Sequence, residues 1–481
     1  MTTRQEKHQN LYPRWMFWKK RRHLLTFLAF LGFLNMYIAR VNLSVAIVAM
    51  NSPYNVTLED GTVLEKQDFN WDSKMRGLVL SSFFYGYMST QLLGGWLGAR
   101  FGGKMVYGLG VAVTAFLTLV TPPFVNISVY LLLLLRVLEG FCEGLAYPGM
   151  HALWAQWAPP HERALMVSIA YAGASVGSVT ALPVSGLLGA TLGWPSIFYF
   201  SGVVGLAYSV SWFAVVKDHP EEDPYITPEE LKYIQESLGH HRSSTNCLVT
   251  HPWMKLLTSV PVWAIVAAYF CEFWGFYTLQ TQLPTFLKDV FQFELAKAGF
   301  VSSLPYLVMA IMFLVAGGLS DWLQSSHILS VVQVRKLFTC GALTLQAGCM
   351  TLAVHLETAT GVVLCLVVGL GLEAFAIASF GVNHLDIAPR HASVLFGISN
   401  TFTSFSGILS PLLTGYVVTT KSPEQWHTVF YVSSAIYLVG AVLYGIFASG
   451  EVQPWAMENT TLDCETVKAD SSVNNKAISN N

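Results

Sequence analysis

One stretch of the chain carries ionisable side chains at spacings that place them on a single helical face. Arg136, Glu139, Glu143, Tyr147 and His151 follow one another at intervals of three or four residues, which is the repeat of one side of an α-helix. A carboxylate close to an arginine can release or take up a proton when its partner moves. The pattern therefore predicts either proton coupling through the two glutamates or a permanent salt bridge to the arginine. Because two acids accompany one base, we favour proton coupling, with Arg136 and His151 as part of the same group.

A second charge lies deep in the first apolar stretch of the sequence. Arg40 follows a long apolar run, and a charge at such a depth is costly unless it faces a cavity or a partner. A guanidinium there can hold a substrate carboxylate through two hydrogen bonds. The alternative is that the side chain snorkels to the membrane surface. Tyr37 lies one helical turn away, and we therefore favour a substrate site formed by both residues.

Two further acids and several aromatic residues lie within apolar runs. Glu272 and Glu373 are predicted to bind a cation, carry a proton or face a basic substrate, with a structural pairing as the alternative. His384 and Asp386 lie at the end of a span, where they predict a gate or a helix cap. The aromatic residues that could line a substrate cavity, or merely pack the helices, are Phe84, Tyr87, Tyr171 and Tyr306.

The composition shows what kind of chain must position these residues. Of the 481 residues, 53 % are hydrophobic and 12 % charged, and the mean hydropathy is +0.47. This excludes an ordinary soluble enzyme, and the net charge of −2 gives no basic field for nucleic acid. The seven cysteines show no zinc-binding spacing, so we expect neither a metal nor a cofactor.

Runs of about 20 apolar residues mark helices that cross a bilayer. We predict an all-α membrane protein with twelve such spans. They are centred on 24–50, 76–98, 105–123, 128–150, 164–188, 194–216, 259–286, 297–319, 335–355, 359–382, 391–419 and 426–448.

The distribution of charge predicts the orientation of the chain. Five Lys or Arg residues lie at 14–22, whereas five Asp or Glu residues lie in the first loop at 59–72. The positive-inside rule places both termini in the cytoplasm and the first loop in a lumen or outside the cell. The sequon at Asn55 is then a predicted glycosylation site.

The sequence repeats itself across two halves. Matching serine, glycine, proline and aromatic positions recur at offsets between 221 and 232 residues. We therefore predict a cytoplasmic tail (1–23), a six-helix half (24–216), a cytoplasmic linker (217–258), a second six-helix half (259–448) and a disordered cytoplasmic tail (449–481). A substrate site between two such halves is typical of transporters.

Two loop motifs at equivalent places in the halves resemble the cytoplasmic loop of the major facilitator superfamily. They are residues 95–104, which end at Lys104, and the run from Gly317 to Asp321. Such a loop brings helices close at glycine and locks one conformation through charge pairs, which predicts a gating role for Lys104 and Asp321. Ala99 stands where the motif usually has aspartate.

Several longer stretches resemble the organic-anion transporter branch of that superfamily, which includes the sialin-like, vesicular glutamate and sodium-phosphate transporters. These stretches are 40–46, 82–87, 136–144, 157–163 and 383–389, and residues 103–105, 171–174 and 303–307 look most sialin-like. The resemblance implies a lysosomal or vesicular symporter that moves sialic acid, or a related acidic sugar or amino acid, outward with a proton. Arg40 matches the arginine that holds the carboxylate, and Glu139 and Glu143 match the proton-coupling carboxylates.

The chain also departs from its relatives at two positions. Leu80 stands where the glutamate transporters have histidine, and Glu272 stands where they have a second substrate arginine. A dicarboxylate would meet repulsion there, which argues against glutamate as the substrate.

We therefore expect a monomeric, bilayer-embedded symporter of a small anion, coupled to H⁺ or, alternatively, Na⁺. The alternatives are a sodium-coupled phosphate or organic-anion carrier at the plasma membrane, and a receptor or scaffold that does not transport.

Overall fold

The computed structural model describes residues 20–57, 63–242, 252–326, 328–388 and 391–457. Most of the predicted N-terminal tail, and the predicted disordered tail from 458 onward, lie outside these ranges. The helices are α1 (Arg21–Met50), α2 (Ser73–Phe101), α3 (Gly103–Ile127), α4 (Val129–Trp157), α5 (Pro160–Thr191), α6 (Trp194–Val215), α7 (Pro228–Arg242), α8 (Trp253–Thr258), α9 (Val260–Phe291), α10 (Leu295–Ser325), α11 (Val331–His355), α12 (Ala359–Ile387), α13 (Ala392–Val417), α14 (Pro423–Phe447) and α15 (Pro454–Met457).

Twelve of these helices are long, which confirms the predicted number of spans. Across the described ranges, nine of them are apolar and long enough to cross a membrane by composition alone. The other three long helices are α2, α4 and α13. Helix α4 contains the charged stripe at 136–143, whose cost in a bilayer must be offset by partners inside the protein.

Local sequence signals begin several of these helices. The Asp72 side chain accepts a hydrogen bond from the Met75 N–H (2.8 Å), and Ser330 and Gln333 form a reciprocal capping box at the start of α11. Such caps satisfy backbone donors that the first helical turn leaves unpaired. The helix boundaries therefore follow from residues next to the apolar runs.

The first loop contains a small hairpin that the all-α prediction did not include. Strands β1 (Tyr54–Thr57) and β2 (Val63–Lys66) pair antiparallel. The Trp194 indole N–H donates to Asp68 Oδ2 (3.0 Å), which attaches this loop to the start of α6. We call this end of the bundle the hairpin end, and the opposite end, where α1 begins, the linker end.

The segment between the halves is folded against the linker end. Arg21 Nε pairs with Asp223 Oδ2 at 2.6 Å, and Arg22 Nη1 pairs with Glu230 Oε1 at 3.1 Å. The Lys104 backbone N–H donates to Asp218 Oδ1 (2.8 Å). The polar residues of the linker thus hold the beginnings of α1 and α3.

Helices α1–α6 and α9–α14 form the two halves, which meet along two helix pairs. Helix α2 packs against α13, and α5 packs against α10. At the hairpin end, a Cβ on Gly77 would lie 2.5 Å from the Pro411 carbonyl oxygen, and one on Gly299 would lie 2.5 Å from that of Leu182. Glycine is required there because the backbones of opposite halves touch.

Two glycines nearer the linker end of the same two C-terminal helices have no such close neighbours. Among the described residues, a Cβ added to Gly317 on α10 or to Gly397 on α13 would meet nothing within 4 Å. Along these helices the halves therefore touch at the hairpin end and separate toward the linker end. A central space between the halves is sealed on the hairpin side.

Candidate functional site

Arg40 and Glu143 form a buried ion pair between α1 and α4. The Arg40 side chain donates from Nε and Nη2 to the same oxygen, Glu143 Oε2, at 3.1 and 2.7 Å. Arg40 is only 7 % exposed, so it does not snorkel to the surface. The second oxygen, Glu143 Oε1, has no hydrogen-bond partner among the residues that the structure describes. The two charges of the pair cancel, but only one of the two carboxylate oxygens accepts hydrogen bonds from Arg40.

Three aromatic rings surround the Arg40 guanidinium. The Cζ atom lies 4.9 Å from the ring centre of Tyr37, 4.6 Å from that of Phe83 and 4.7 Å from that of Tyr87. Such cation–π contacts gain strength when water is excluded. The rings therefore help to hold the cation in place beside Glu143.

A second ion pair lies directly behind the first. Arg136 Nη1 donates to Glu139 Oε2 at 2.5 Å, and the Thr118 hydroxyl on α3 donates to Glu139 Oε1 at 3.1 Å. Arg136 also donates to the backbone carbonyls of Ala39 and Arg40, both at 3.3 Å. Both oxygens of Glu139 thus have partners, whereas Arg136 Nε has none among the described residues, and the pair holds α1 against α4 beside Arg40.

A small cavity of about 10 Å³ lies in front of Arg40, between the two halves. Ser44 and Phe84 line it from the N-terminal half, and Gln280 and Thr281 line it from α9. Gln280 Nε2 is buried and has no acceptor in the described part of the chain. In this conformation the cavity has room for about one water molecule, and it offers one cation and one free amide donor.

The C-terminal half contributes two buried acids near this centre. Glu272 on α9 and Glu373 on α12 are both 0 % exposed, and they interact electrostatically with each other. Gln346 Nε2 donates to Glu272 Oε1 at 2.7 Å. Among the described residues, Glu272 Oε2 and both oxygens of Glu373 have no partner.

Tyr277 on α9 connects the two groups of charges. Its ring lies 4.6 Å from that of Phe84, edge to face. It interacts electrostatically with both Arg40 and Glu373. Tyr277 is thus near enough to interact with both the arginine site and the acid Glu373.

His151 and Tyr171 meet nearer the linker end. The Tyr171 hydroxyl and His151 Nε2 are 2.8 Å apart, and the Tyr171 ring packs edge to face on Phe33. These residues are not in direct contact with Arg40, although they share its side of the central space.

Comparison with known proteins places this site in a family. The model of the Major Facilitator Superfamily matches residues 25–411. Vesicular glutamate transporter 1 of Xenopus laevis is 39 % identical over 463 residues, which cover 96 % of this chain and 80 % of that protein. Human vesicular glutamate transporter 2 is 38 % identical over 438 residues, or 91 % of this chain and 75 % of that protein.

The chain belongs to the Major Facilitator Superfamily, in its organic-anion transporter branch. It is therefore a multi-pass membrane transporter rather than an enzyme. This confirms the predicted family, the predicted fold class and the prediction that the chain is a transporter.

Solved structures of other facilitators share the fold. A bacterial homologue of the human lysosomal transporter Spinster, in an inward-facing and unoccupied conformation, superposes with a TM-score of 0.71 at 16 % identity, covering 90 % of this chain and 99 % of that one. A D-xylose–proton symporter superposes with a TM-score of 0.67 at 14 % identity, covering 89 % and 98 %. At these identities the likeness supports the fold only.

The pairing of charges in this facilitator differs from the expectation drawn from the stripe on α4. The prediction of a surplus carboxylate beside Arg136 was wrong, because Glu143 pairs with Arg40 across two helices. Helical spacing gave only Arg136 as a neighbour, whereas the packing of α1 on α4 supplies a second cation. The N-terminal half therefore has two bases for two acids at this centre.

The structure places the remaining predicted residues at several positions. Phe84 lines the central space, whereas Tyr306 is buried near Glu373. His384 Nε2 lies 3.0 Å from the Ser399 hydroxyl, and Asp386 accepts from Arg335 Nε at 2.8 Å. Lys104 is anchored to the linker through its backbone. The Asp321 side chain lies outside the part that the structure describes, so its gating role stays a prediction.

Sequence reasoning missed four residues of this centre: Phe83, Thr118, Gln280 and Gln346. Phe83 lies within the family-like stretch 82–87, so that stretch was the available signal. The two glutamines are amides within apolar stretches of their helices, which is a detectable pattern because buried amides need partners. No sequence signal pointed to Thr118, since the hydroxyl groups of threonines in membrane spans commonly donate hydrogen bonds to carbonyls of their own helix. No group of three or more His, Cys, Asp or Glu residues in the described chain is arranged to hold a metal.

Proposed function

We propose that this facilitator is a proton-coupled symporter of a small organic anion with one carboxylate, such as sialic acid or a related acidic sugar. The observation that carries the proposal is the buried Arg40–Glu143 pair, whose arginine lines the central space between the halves. The two helices that supply it belong to one half, and the space is completed by α9 of the other.

The coupling follows from competition for one guanidinium. Arg40 can neutralise either Glu143 or a substrate carboxylate, because a second buried anion would remain uncompensated. A proton on Glu143 removes its charge and weakens its hold on Arg40. The substrate carboxylate then takes the two donors that Glu143 releases. Proton and anion thus bind together, and the halves can move with a neutral centre.

The charge distribution supports a substrate with one carboxylate. Arg136 is already occupied by Glu139 and by two backbone carbonyls, which leaves Arg40 as the exchangeable cation. In the C-terminal half, the buried acids Glu272 and Glu373 add no positive charge that could hold a second carboxylate. Gln280 offers an amide donor that suits a sugar hydroxyl. Glutamate is the second candidate substrate, because the vesicular glutamate transporters are 38–39 % identical to this chain.

The membrane and the orientation belong to the same proposal. We infer a vesicular or lysosomal membrane, with both termini cytoplasmic and the hairpin end in the acidic lumen. The vesicular relatives and the positive-inside rule support this assignment. The acidic lumen would then supply the proton that frees Arg40.

The test is uptake of radiolabelled sialic acid into proteoliposomes with an imposed pH gradient, with and without sodium. The wild type should accumulate substrate when the outside is acidic, and a protonophore should abolish this. Glu143→Gln mimics the protonated acid, so it should lose gradient-driven uptake and keep exchange of substrate for substrate. Arg40→Ala should lose both. Glu236→Gln, which changes an exposed acid in the linker, serves as the matched control.

Five results would contradict the proposal. Full gradient-driven uptake by Glu143→Gln would remove the proton role, and retained uptake by Arg40→Ala would remove the anion site. Uptake that requires sodium at every pH would favour the sodium-coupled carrier. Binding of substrate without flux would favour a receptor or scaffold, and uptake of glutamate in preference to sialic acid would favour the second candidate.

A further inference from the structure

Glu272 and Glu373 form a pair of acids with no counter-charge in their surroundings. The groups that face them are Gln346 on α11, Tyr306 on α10, Tyr437 on α14 and, on α9, Cys271 and Tyr277. Helix α13, which also packs on α9 and α12, carries no charged residue. Across the described chain, no arginine, lysine or histidine bonds to either acid.

Such a pair cannot remain doubly charged inside a membrane protein. An isolated buried carboxylate costs several kcal/mol as an order of magnitude, and two adjacent carboxyl groups ionise one at a time. A proton bound to either acid therefore removes one of the two charges. Glu272 Oε2 and both oxygens of Glu373 lack partners in the described chain, so suitable acceptors are present.

An independent polar group points to the same place. The Tyr306 hydroxyl is buried, with the residue 1 % exposed, and it has no partner among the described residues. It interacts electrostatically with Glu373. A phenol that can donate or accept a hydrogen bond, left free beside two acids, suits a site whose proton content changes.

The internal repeat relates Glu373 to the coupling acid of the other half. Glu143 is the fifteenth residue of α4 and Glu373 the fifteenth of α12, each in a helix of 29 residues. Each helix is the fourth long helix of its half. Glu143 faces Arg40, whereas Glu373 faces another acid. The acid at this position is thus neutralised by an arginine in the N-terminal half, whereas only a proton is available to neutralise it in the C-terminal half.

We propose that Glu272 and Glu373 form a second proton-binding site, so that one proton is carried by each half in every transport cycle. This inference rests on the proposed symport function. The proton binds to a carboxylate oxygen of the pair from the acidic side, and that O–H bond breaks when the proton is released to water on the other side. Tyr277 interacts electrostatically with both Glu373 and Arg40, which connects the second proton site to the site of the substrate anion.

The experiment measures how far substrate accumulates in proteoliposomes at zero membrane potential. With a gradient of one pH unit, each coupled proton contributes about a tenfold concentration ratio. The wild type should therefore reach about a hundredfold ratio, and Glu373→Gln about a tenfold ratio. Glu272→Gln should give the same tenfold ratio, because the remaining buried carboxyl group no longer has a second acid with which to share a negative charge, and it therefore stays protonated throughout the cycle. Glu424→Gln, at the exposed start of α14, serves as the matched control.

Exchange of substrate for substrate, which needs no gradient, checks that each variant is folded and binds at Arg40. If the wild type shows no proton-driven uptake, the proposed function itself fails. If the wild type couples normally and both variants reach its ratio, the pair is a fixed neutral contact and this inference is overturned. A sodium requirement of the wild type that disappears in Glu373→Gln would also overturn it, since the site would then hold sodium.

Discussion

The contact between the halves at the hairpin end leads to a quantitative prediction for Gly77→Ala. A Cβ at this position would lie 2.5 Å from the Pro411 carbonyl oxygen and 3.1 Å from the Gly415 Cα. Ordinary C···O contacts are about 3.3–3.6 Å, so α2 and α13 must separate by about 1 Å. Overpacking of this kind costs about 1–3 kcal/mol. The cost applies only to the conformation in which the two helices touch.

The expected consequence is a shift of the conformational equilibrium away from the sealed state. A difference of about 1–3 kcal/mol changes the ratio of two states by about 5- to 150-fold. Alanine also favours a helix over glycine by about 1 kcal/mol, but this gain is the same in both conformations. The variant should therefore open the hairpin end more often without losing its fold.

The assay follows access to Leu80, which is 5 % exposed and lines both the space at the seal and the space in front of Arg40. Leu80→Cys is introduced into a chain in which the seven native cysteines are replaced. A membrane-impermeant maleimide is added on the hairpin side. Gly77→Ala should raise the labelling rate by about 5- to 150-fold.

The matched control is Gly348→Ala, which makes the same change where a Cβ meets nothing within 4 Å. Its labelling rate should equal that of the parent. An unchanged rate in Gly77→Ala, or an equal increase in both variants, would refute the idea that backbone contact between α2 and α13 seals this end.

Two further predictions concern the second ion pair and the first loop. Glu139→Gln should lower thermal stability in detergent, because removing one partner of a buried pair costs about 3–5 kcal/mol. The double variant with Arg136→Gln should recover most of the loss, and a double variant as unstable as the single one would contradict this. Asn55→Gln should increase gel mobility as much as enzymatic removal of glycans does, and unchanged mobility would contradict a lumenal first loop.

Much of the architecture could be predicted because the relevant signals are local. Each span is a run of about 20 apolar residues, and the bilayer imposes that length on any helix that crosses it. The twelve long helices therefore appear where the apolar runs do. The hairpin β1–β2 was missed because its strands have only four residues each, in a loop without a clear alternating pattern.

The choice of candidate site residues was also largely available from the sequence. A charge inside an apolar helix is costly wherever the helix lies, which singled out Arg40, Glu143, Glu272 and Glu373 without knowledge of their neighbours. Their burial in the structure agrees with that reasoning. The sequence could not show which of these charges meet.

The sequence by itself determined the membrane-spanning helices, their division into two halves and the buried charges that need an explanation. Only the tertiary structure decided that Glu143 pairs with Arg40, 103 residues away, rather than with Arg136, and that Glu272 and Glu373 share one uncompensated site. The physical reason is distance. Hydrogen bonds and ion pairs act over about 3 Å, and the packing of separate helices sets which side chains come that close.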